Sequence, residues 1–495
     1  MSRSGSFSDI KSLAGKSVIY GFGSMLLKII GFFLIPIYTR YLTSADFGTV
    51  ALAGSLTAIL SILFALELRG AINYFYYQPG SPEERLSRNG TIWLTMVGLA
   101  LILALVADRL GQPLFALVFQ SVPFDPYVRL VIWTTFFVVL GQFPQLIFQV
   151  REKPLPYVAL LVSNAVLTIG LVIYFVVFRG LGAYGYLLGL FFAGALMALP
   201  YVLVALRNLR LTMQWGLLIP ILLYSLPLVP HSLSSWLLEL SDRFILEKFV
   251  PLAEIGIYSL GYQFGSIVNL VASAMNTAWV PFVFRIVEQT PHKAAARISR
   301  LSTYFVLVLT LVFLGVGLYV REVNLLVTSE AFYPAYRVAY WVALGQLLQG
   351  LYYIPVNFLF LRNQTNYIPI ITISSAAVDI ILNLLLLPRY GMIAAAWAGL
   401  VGKMVMLVCV LWISQKVYPI QYENARLGKL LGLALAVFGA GLLVPQVSLP
   451  LGFALKTGIL FIFPAGLLGF GFFQPEELQA MRAGLARLAG KGGAA

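Results

Sequence analysis

Apolar runs about 20 residues long recur from one end of this 495-residue chain to the other, and that recurrence limits the fold more than any other feature. A helix needs roughly 20 residues to cross the ~30 Å core of a bilayer, where lipid offers the backbone no hydrogen bonds. Runs of this length must be helices, because the strands of a closed barrel would be about half as long and would alternate polar with apolar residues. Composition agrees. Apolar residues make up 60% of the chain and charged residues 11%, against roughly 45–50% and 25% in soluble domains. So few charges could not cover a soluble surface.

Fourteen runs are predicted as transmembrane helices, giving an all-α membrane protein: 17–38, 46–68, 91–107, 127–149, 155–178, 183–206, 216–241, 252–275, 301–320, 334–359, 367–387, 391–414, 428–445 and 450–473. The longest connections, 69–90 and 276–300, leave no room for an extramembrane domain between spans. The first run is too long for a cleaved signal peptide and no small-residue cleavage site follows it. A lone cysteine, Cys409, excludes a disulfide framework.

Charge sets the expected orientation. Of the 33 Lys and Arg residues, 21 fall on the side of the N-terminus and nine on the other, while Lys28, Lys403 and Lys456 lie within spans. The positive-inside rule then places both termini in the cytoplasm, with the chain in the cell's inner membrane. The net charge of +14 reports topology and contact with anionic lipid headgroups, not nucleic-acid binding.

The chain also repeats itself. Tyr41-Leu-Thr-Ser-Ala-Asp-Phe-Gly-Thr-Val-Ala-Leu52 is echoed 208 residues later by Phe249-Val-Pro-Leu-Ala-Glu-Ile-Gly-Ile-Tyr-Ser-Leu260. The shared core is Ala-[Asp/Glu]-apolar-Gly-x-x-x-Leu. A second echo pairs Gly180-Leu-Gly-Ala183 with Gly391-Met-Ile-Ala394 at a spacing of 211. Six spans per repeat imply a parallel duplication about an axis along the membrane normal. The expected organisation is an N-terminal lobe over 1–210, a C-terminal lobe over 211–420, two added spans over 421–473 and a cytoplasmic tail from 474 to 495.

Two six-helix lobes form a transporter architecture, and five polar stripes are expected to line its cavity. The first span carries Ser17, Gly21, Ser24, Lys28 and Gly31, and the seventh Ser225, Ser232, Ser235, Glu239 and Asp242. The eighth carries Gln263, Ser266, Asn269, Ser273 and Asn276, and the tenth Gln346, Gln349, Tyr353 and Asn357. The eleventh adds Thr372, Ser375, Asp379 and Asn383. The competing reading is interhelical hydrogen bonding in a dry bundle, where polar side chains act as packing glue. A charge at membrane depth costs roughly 2.5–3.5 kcal/mol or more, so Lys28, Asp379 and Lys403 need a use. Asp379, flanked by Ser375 and Asn383, is the expected cation or proton site, with Lys403 its partner or a second cavity charge. His231, beside Pro227 and Pro230, reads as a satisfied core histidine.

Ser24-Met-Leu-Leu-Lys-Ile-Ile-Gly-Phe32 followed by Arg40-Tyr-Leu-Thr-Ser-Ala-Asp-Phe-Gly48 resembles the multidrug/oligosaccharidyl-lipid/polysaccharide exporter superfamily. Together with Ser241-Asp242-Arg243-Phe244, these segments are most similar to its Wzx-type polysaccharide flippases. The resemblance spans the whole chain. It implies alternating-access translocation of undecaprenyl-pyrophosphate-linked oligosaccharide to the outer leaflet, with polysaccharide polymerase machinery as a partner and no cofactor beyond a coupling Na+ or H+. The superfamily's lipid II flippases place a cation where Lys28 stands and a sodium site where Asp242, Ser375 and Asp379 stand. Ser375 replaces an Asn of that pattern, and Asn383 is the further oxygen donor on the stripe. They also carry a second first-helix arginine near Leu34, whose absence here argues against lipid II.

A pyrophosphate needs accessible positive charge, for which Lys28, Arg69, Arg243, Arg285 and Lys403 are the candidates. Gln263, Asn269, Asn276, Gln346, Gln349 and Asn357 complete the expected substrate-binding set. Arg40 and Asp46, with Lys248 and Glu254, read as an external gate whose salt bridges hold an inward-open state. A cation-coupled drug antiporter of the same superfamily is the alternative. A membrane polymerase or transferase is remoter, since no paired-carboxylate or His cluster is present.

Overall fold

The structure, a computed structural model, describes residues 29–445 and 447–479. Lys28 and most of the 17–38 run lie outside the described residues. Among the described residues there is no strand, and thirteen helical spans are long and apolar enough to cross a bilayer. They correspond one for one to the second through fourteenth predicted runs. The chain is an integral, multi-pass membrane protein. It divides into two compact units: residues 1–260, 327–332 and 379–395, and residues 261–326, 333–378 and 396–495.

In the first unit, Ile35–Tyr41 (α1) leads into Ser44–Ala65 (α2). The Thr43 hydroxyl accepts the Asp46 amide while the Asp46 carboxylate accepts the Thr43 amide, a reciprocal cap for two of the open amides at the helix start. Leu66 and Glu67 then take left-handed conformations, with φ of 42° and 55°. Each such residue costs roughly 1–2 kcal/mol, and together they turn the chain before Leu68–Tyr76 (α3). Pro82–Leu110 (α4) opens with a second capping box, between Ser81 and Glu84. Arg129–Val150 (α5) sits at the centre of this unit, its span 61% buried, whereas the span containing Pro154–Ile173 (α6) is 11% buried and peripheral.

After Gly182–Leu206 (α7) the chain runs along α4. The Arg210 amide donates to the Leu86 carbonyl (2.9 Å), and Thr91 Oγ1 accepts the Gln214 amide (3.0 Å) while donating to the Thr212 carbonyl (3.2 Å). Gly90 is required there, because a Cβ would overlap the Arg210 carbonyl. The seventh span is helical throughout but changes character once along its length. Trp215–Ser225 (α8) passes into Val229–Leu246 (α9) through one 3-10 turn at Leu226–Leu228, where Pro227 and Pro230 remove backbone donors.

The second unit contains Ile267–Gln289 (α11), Pro291–Val327 (α12), Ala335–Leu361 (α13), Asn424–Leu442 (α16) and Leu449–Gly469 (α17). The unit boundary falls within Leu252–Gly265 (α10), Tyr367–Tyr390 (α14) and Met392–Val417 (α15). Here α13 is central, 67% buried, and Phe305, Phe313, Phe358, Phe438 and Phe463 share one core. Helices α16 and α17, an appended pair in sequence terms, are part of this core. Lys456 on α17, 2% exposed, donates to Glu322 on α12, 0% exposed, at 2.8 Å, and Arg321 closes on the other Glu322 oxygen at 3.1 Å. Lys456, a charge without an assigned use in the sequence, is a buried structural ion.

The tail begins in a second ionic clasp. Arg426 bonds both oxygens of Glu423 (3.0 and 2.9 Å) and reaches Glu477 at 3.0 Å. Burial pushes the Glu477 carboxyl up, but hydrogen bonds from Tyr304 and the Gln474 amide, with the charges of Arg426 and Arg300, outweigh it and hold the group below its ordinary value.

Candidate functional site

The first unit holds a polar cavity of about 280 Å³. The left-handed turn after α2 brings Glu67 and Arg69 to its edge, α2 contributes Ser61, Ile62 and Ala65, and α5 contributes Gln142. Helix α9 supplies His231, Ser232 and Ser235, the two serines being two of the five residues on the seventh-span stripe. Arg69 is exposed there, and among the described residues it makes no ion pair. His231 is exposed at the cavity wall, not a core residue. Glu67 was missed by sequence reasoning: next to Arg69 at a helix end, it carries no pattern beyond ordinary flanking charge.

A second cluster lies deeper in the same unit. Asp242 and Asp379 are 4% and 2% exposed, and the Asn383 amide bridges them, donating to Asp242 Oδ1 (3.2 Å) and Asp379 Oδ1 (3.1 Å). Tyr258 donates its hydroxyl to Asp242 Oδ2 at 2.5 Å. Tyr258 was not among the expected residues. It lies 16 residues beyond Asp242 on another helix, a separation with no local signature. The Asn383 Oδ1 is buried without a hydrogen-bond partner, and a buried unpaired acceptor suits a cation or a bound proton donor. Among the described residues no group of three or more His, Cys, Asp or Glu could hold a metal. Any cation here would therefore rely on two carboxylates plus neutral oxygens. Ser375 belongs to the second unit, where its hydroxyl donates to the Gly402 carbonyl at 2.7 Å.

The repeat motifs meet face to face. A Cβ on Gly48 would overlap the Leu252 carbonyl, and one on Gly256 would overlap the Ser44 carbonyl. Residues 44 and 252, like 48 and 256, are 208 positions apart, so this α2–α10 contact is reciprocal. The acidic residues flank it in equivalent ways. Asp46 Oδ1 accepts the Ala183 amide (3.0 Å), just after Gly182 at φ 54°, and Glu254 Oε2 accepts the Met392 amide (3.4 Å), just after Gly391 at φ 59°. The expected salt bridges are therefore corrected. Arg40 and Lys248 are exposed, and among the described residues neither Asp46 nor Glu254 makes an ion pair. Free amides at a helix start attract a carboxylate as strongly as a mobile surface cation does. Nearby, Glu247 accepts the Gln120 and Ser121 amides, both at 2.6 Å.

In the second unit the polar stripes turn toward one another. Tyr353 donates to Asn269 (3.3 Å), Asn357 to Asn276 (2.9 Å) and Gln346 to Tyr262 (3.4 Å). Gln346 and Asn357 are 2% and 3% exposed. Gln346 and Asn357, both buried, and Asn269 and Asn276, both half-buried, thus bond across helices, as polar side chains do where lipid offers no partners. Gln263 and Arg285 are exposed and Gln349 half-buried. Arg243 is buried, donates to the Glu239 carbonyl (2.8 Å) and lies 5.6 Å from the Tyr258 ring centre, which makes it a packed cation. Lys403 is half-buried, with its ammonium 5.8 Å from the Tyr262 ring centre.

Residues 14–287 match the family model of polysaccharide biosynthesis proteins. The chain is similar to Lsg locus putative protein 1 of Haemophilus influenzae, 24% identical over 283 residues that cover 55% of this chain and 66% of that protein. An uncharacterized membrane protein of the same organism is 24% identical over 286 residues, 56% of this chain and 67% of that one. The alignments thus span about two thirds of the length of these relatives. Among solved structures, the lipid II flippase MurJ in an inward closed conformation aligns with a TM-score of 0.63 at 12% identity, over 89% of this chain and 98% of its own. An inward-facing multidrug resistance MATE family transporter aligns with a TM-score of 0.64 at 13% identity, over 79% and 94%. At such identities the likeness is one of fold.

Proposed function

Since this chain belongs to the polysaccharide biosynthesis protein family, we propose that it is a flippase for undecaprenyl-pyrophosphate-linked oligosaccharide, moving it from the inner to the outer leaflet of the cytoplasmic membrane for surface polysaccharide assembly. The observation that carries this reading is the polar cavity of about 280 Å³ inside an otherwise apolar helical unit, with an uncommitted guanidinium at its edge. Lipid gives polar walls no partners, so such a cavity is justified by a polar cargo. The prenyl tail stays in lipid while the polar head enters the protein, and alternating access carries the head across.

The buried Asp242–Asn383–Asp379 bridge is the candidate coupling site. Its hard oxygens suit Na+, and its acid pair suits a proton. Both termini face the cytoplasm in this reading, consistent with the distribution of Lys and Arg. A polymerase acting on the delivered glycan is the expected partner. The test is reconstitution in vesicles with a labelled undecaprenyl-pyrophosphate glycan. Translocation well above that of protein-free vesicles is expected, and equal rates in the two would remove the proposal.

A further inference from the structure

The end of the second unit remote from the tail carries unbalanced charge. The acids of this unit are Glu288, Glu322, Glu423, Glu476 and Glu477. All but Glu322 flank the end of α11, the start of α16 or the tail, and the bond from Thr303 to Glu423 brings the start of α12 to the same side. Glu322 therefore stands alone at the other end, among Arg321, Arg337 and Lys456. Both of its carboxylate oxygens are taken, Oε1 by Arg321 and Oε2 by Lys456 (3.1 and 2.8 Å). One cation neutralises the carboxylate, so the other is in excess where uncompensated charge is costly. Lys456 is the enclosed one. The Arg321 side chain is still 14% exposed, and among the described residues it has no other hydrogen-bond partner, which leaves most of its N–H fork open. Positive-inside anchoring does not account for it, because the sequence places this end opposite the N-terminal side. Glu330, exposed on the link between α12 and α13, makes no ion pair among the described residues.

The surroundings are those of a lipid-facing surface. Leu326 on α12 and Leu451 and Leu455 on α17 are exposed. The charges of Glu322 and Arg321 reach Tyr340 on α13. The Tyr340 ring meets that of Tyr336 edge-on at 5.6 Å, and Arg337 lies 6.0 Å from the Tyr336 ring centre. Tyrosines at a helix end mark headgroup level, and exposed leucines beside them accept acyl chains. We propose that Arg321, with Arg337 at the rim, binds the phosphate of an anionic phospholipid in the leaflet opposite the N-terminus, while the chains of that lipid cover the leucines. The long arginine stem lets the charge reach headgroup level from within the span. A free anion would match the guanidinium but leave the leucines uncovered. This site is separate from the cavity of the first unit and does not rest on the flippase reading.

A Cys409→Ser, Leu451→Cys protein carrying a thiol-linked fluorophore is placed in nanodiscs of phosphatidylcholine and phosphatidylglycerol, with brominated chains on one lipid or the other. Quenching then gives the ratio of the two lipids beside α17 relative to the bulk. The parent should favour phosphatidylglycerol about fivefold, the scale of one basic residue near an anionic lipid surface. Arg321→Gln should bring the ratio to that of the bulk with the melting temperature little changed, since the Glu322–Lys456 pair stays intact. Arg321→Lys, which keeps the charge, should keep most of the preference. Inorganic phosphate at millimolar concentration and constant ionic strength should leave the parent ratio unchanged. A parent ratio equal to that of the bulk, or a preference that survives Arg321→Gln or is lost equally in Arg321→Lys, would overturn the proposal. So would loss of the preference to inorganic phosphate, which would assign the site to a free anion. None of these outcomes depends on translocation, so a failure here is distinct from a failure of the vesicle assay.

Discussion

One sequence signal, polar residues at helical spacing, has opposite outcomes in the two units. On α9 of the first unit, Ser232 and Ser235 open onto a cavity, whereas on α11 and α13 of the second, Asn269, Asn276 and Asn357 close on partners. The difference lies in what faces each stripe. Helix α11 meets another polar helix in register, so amides and hydroxyls satisfy each other. Helix α9 begins after a proline-bearing 3-10 turn and faces the end of α2, where Leu66 and Glu67 turn the backbone aside. A stripe therefore becomes glue or lining according to its neighbour, and helical periodicity carries no information about the neighbour.

The contrast can be broken most severely in the second unit. Lys456→Met strips a partner from the fully buried Glu322, and a loss of about 3 kcal/mol or more is expected in thermal melts in detergent. The double variant Lys456→Met, Glu322→Leu should recover only part of that loss, since it removes the unpaired Glu322 but takes from Arg321 its carboxylate partner. In the first unit Gly48→Ala forces a Cβ into the Leu252 carbonyl, and a loss of about 3 kcal/mol is expected, read as folded yield and melting temperature. Gly54→Ala, with open space around it, is the control and should change neither.

Asn357→Ala unzips a single rung of the ladder and leaves Asn276 without its partner. A loss of about 1 kcal/mol is expected, within the range measured for interhelical hydrogen bonds in membranes. The smallest effect belongs to the tail clasp. The Glu477 carboxyl is held below its ordinary value of 4.5, so its contribution is present above that pH and fades as pH falls below it. Protection from hydrogen exchange over residues 470–478, taken relative to the intrinsic rate at each pH, should therefore fall on acidification below about pH 4.5 in the parent protein. In Glu477→Gln that protection should be low throughout and unchanged across the same pH range.

The spans were legible in the sequence because bilayer thickness sets a length that no local propensity overrides. Pro227 and Pro230 were visible in the sequence beside His231, but the 3-10 turn they accompany carried no signal of its own. The Asp46–Gly48 and Glu254–Gly256 motifs were recognisable as equivalent, but equivalence does not say that two copies touch, nor that their acids cap the helices beginning at Gly182 and Met392. Asp379 was singled out for its depth, and Asp242 for its place on the seventh-span stripe and in the family resemblance. Asn383, 141 residues from Asp242, was placed only as a neighbour of Asp379, and Tyr258 not at all. Lys456 and Glu322, 134 residues apart, carry no signature that pairs them. Partners across long separations are set by packing, which a single sequence does not display.

The central claim is that the cavity of the first unit handles cargo and the polar ladder of the second holds helices together. Its most direct test measures, in the same vesicles, the translocation rate per folded protein of Arg69→Ala and of the double variant Asn276→Ala, Asn357→Ala. Arg69→Ala should lose about tenfold in rate, the scale of a lost charged hydrogen bond, with its melting temperature unchanged. The ladder variant should melt lower yet translocate at the parent rate. A ladder variant that loses translocation while Arg69→Ala keeps it would contradict the account.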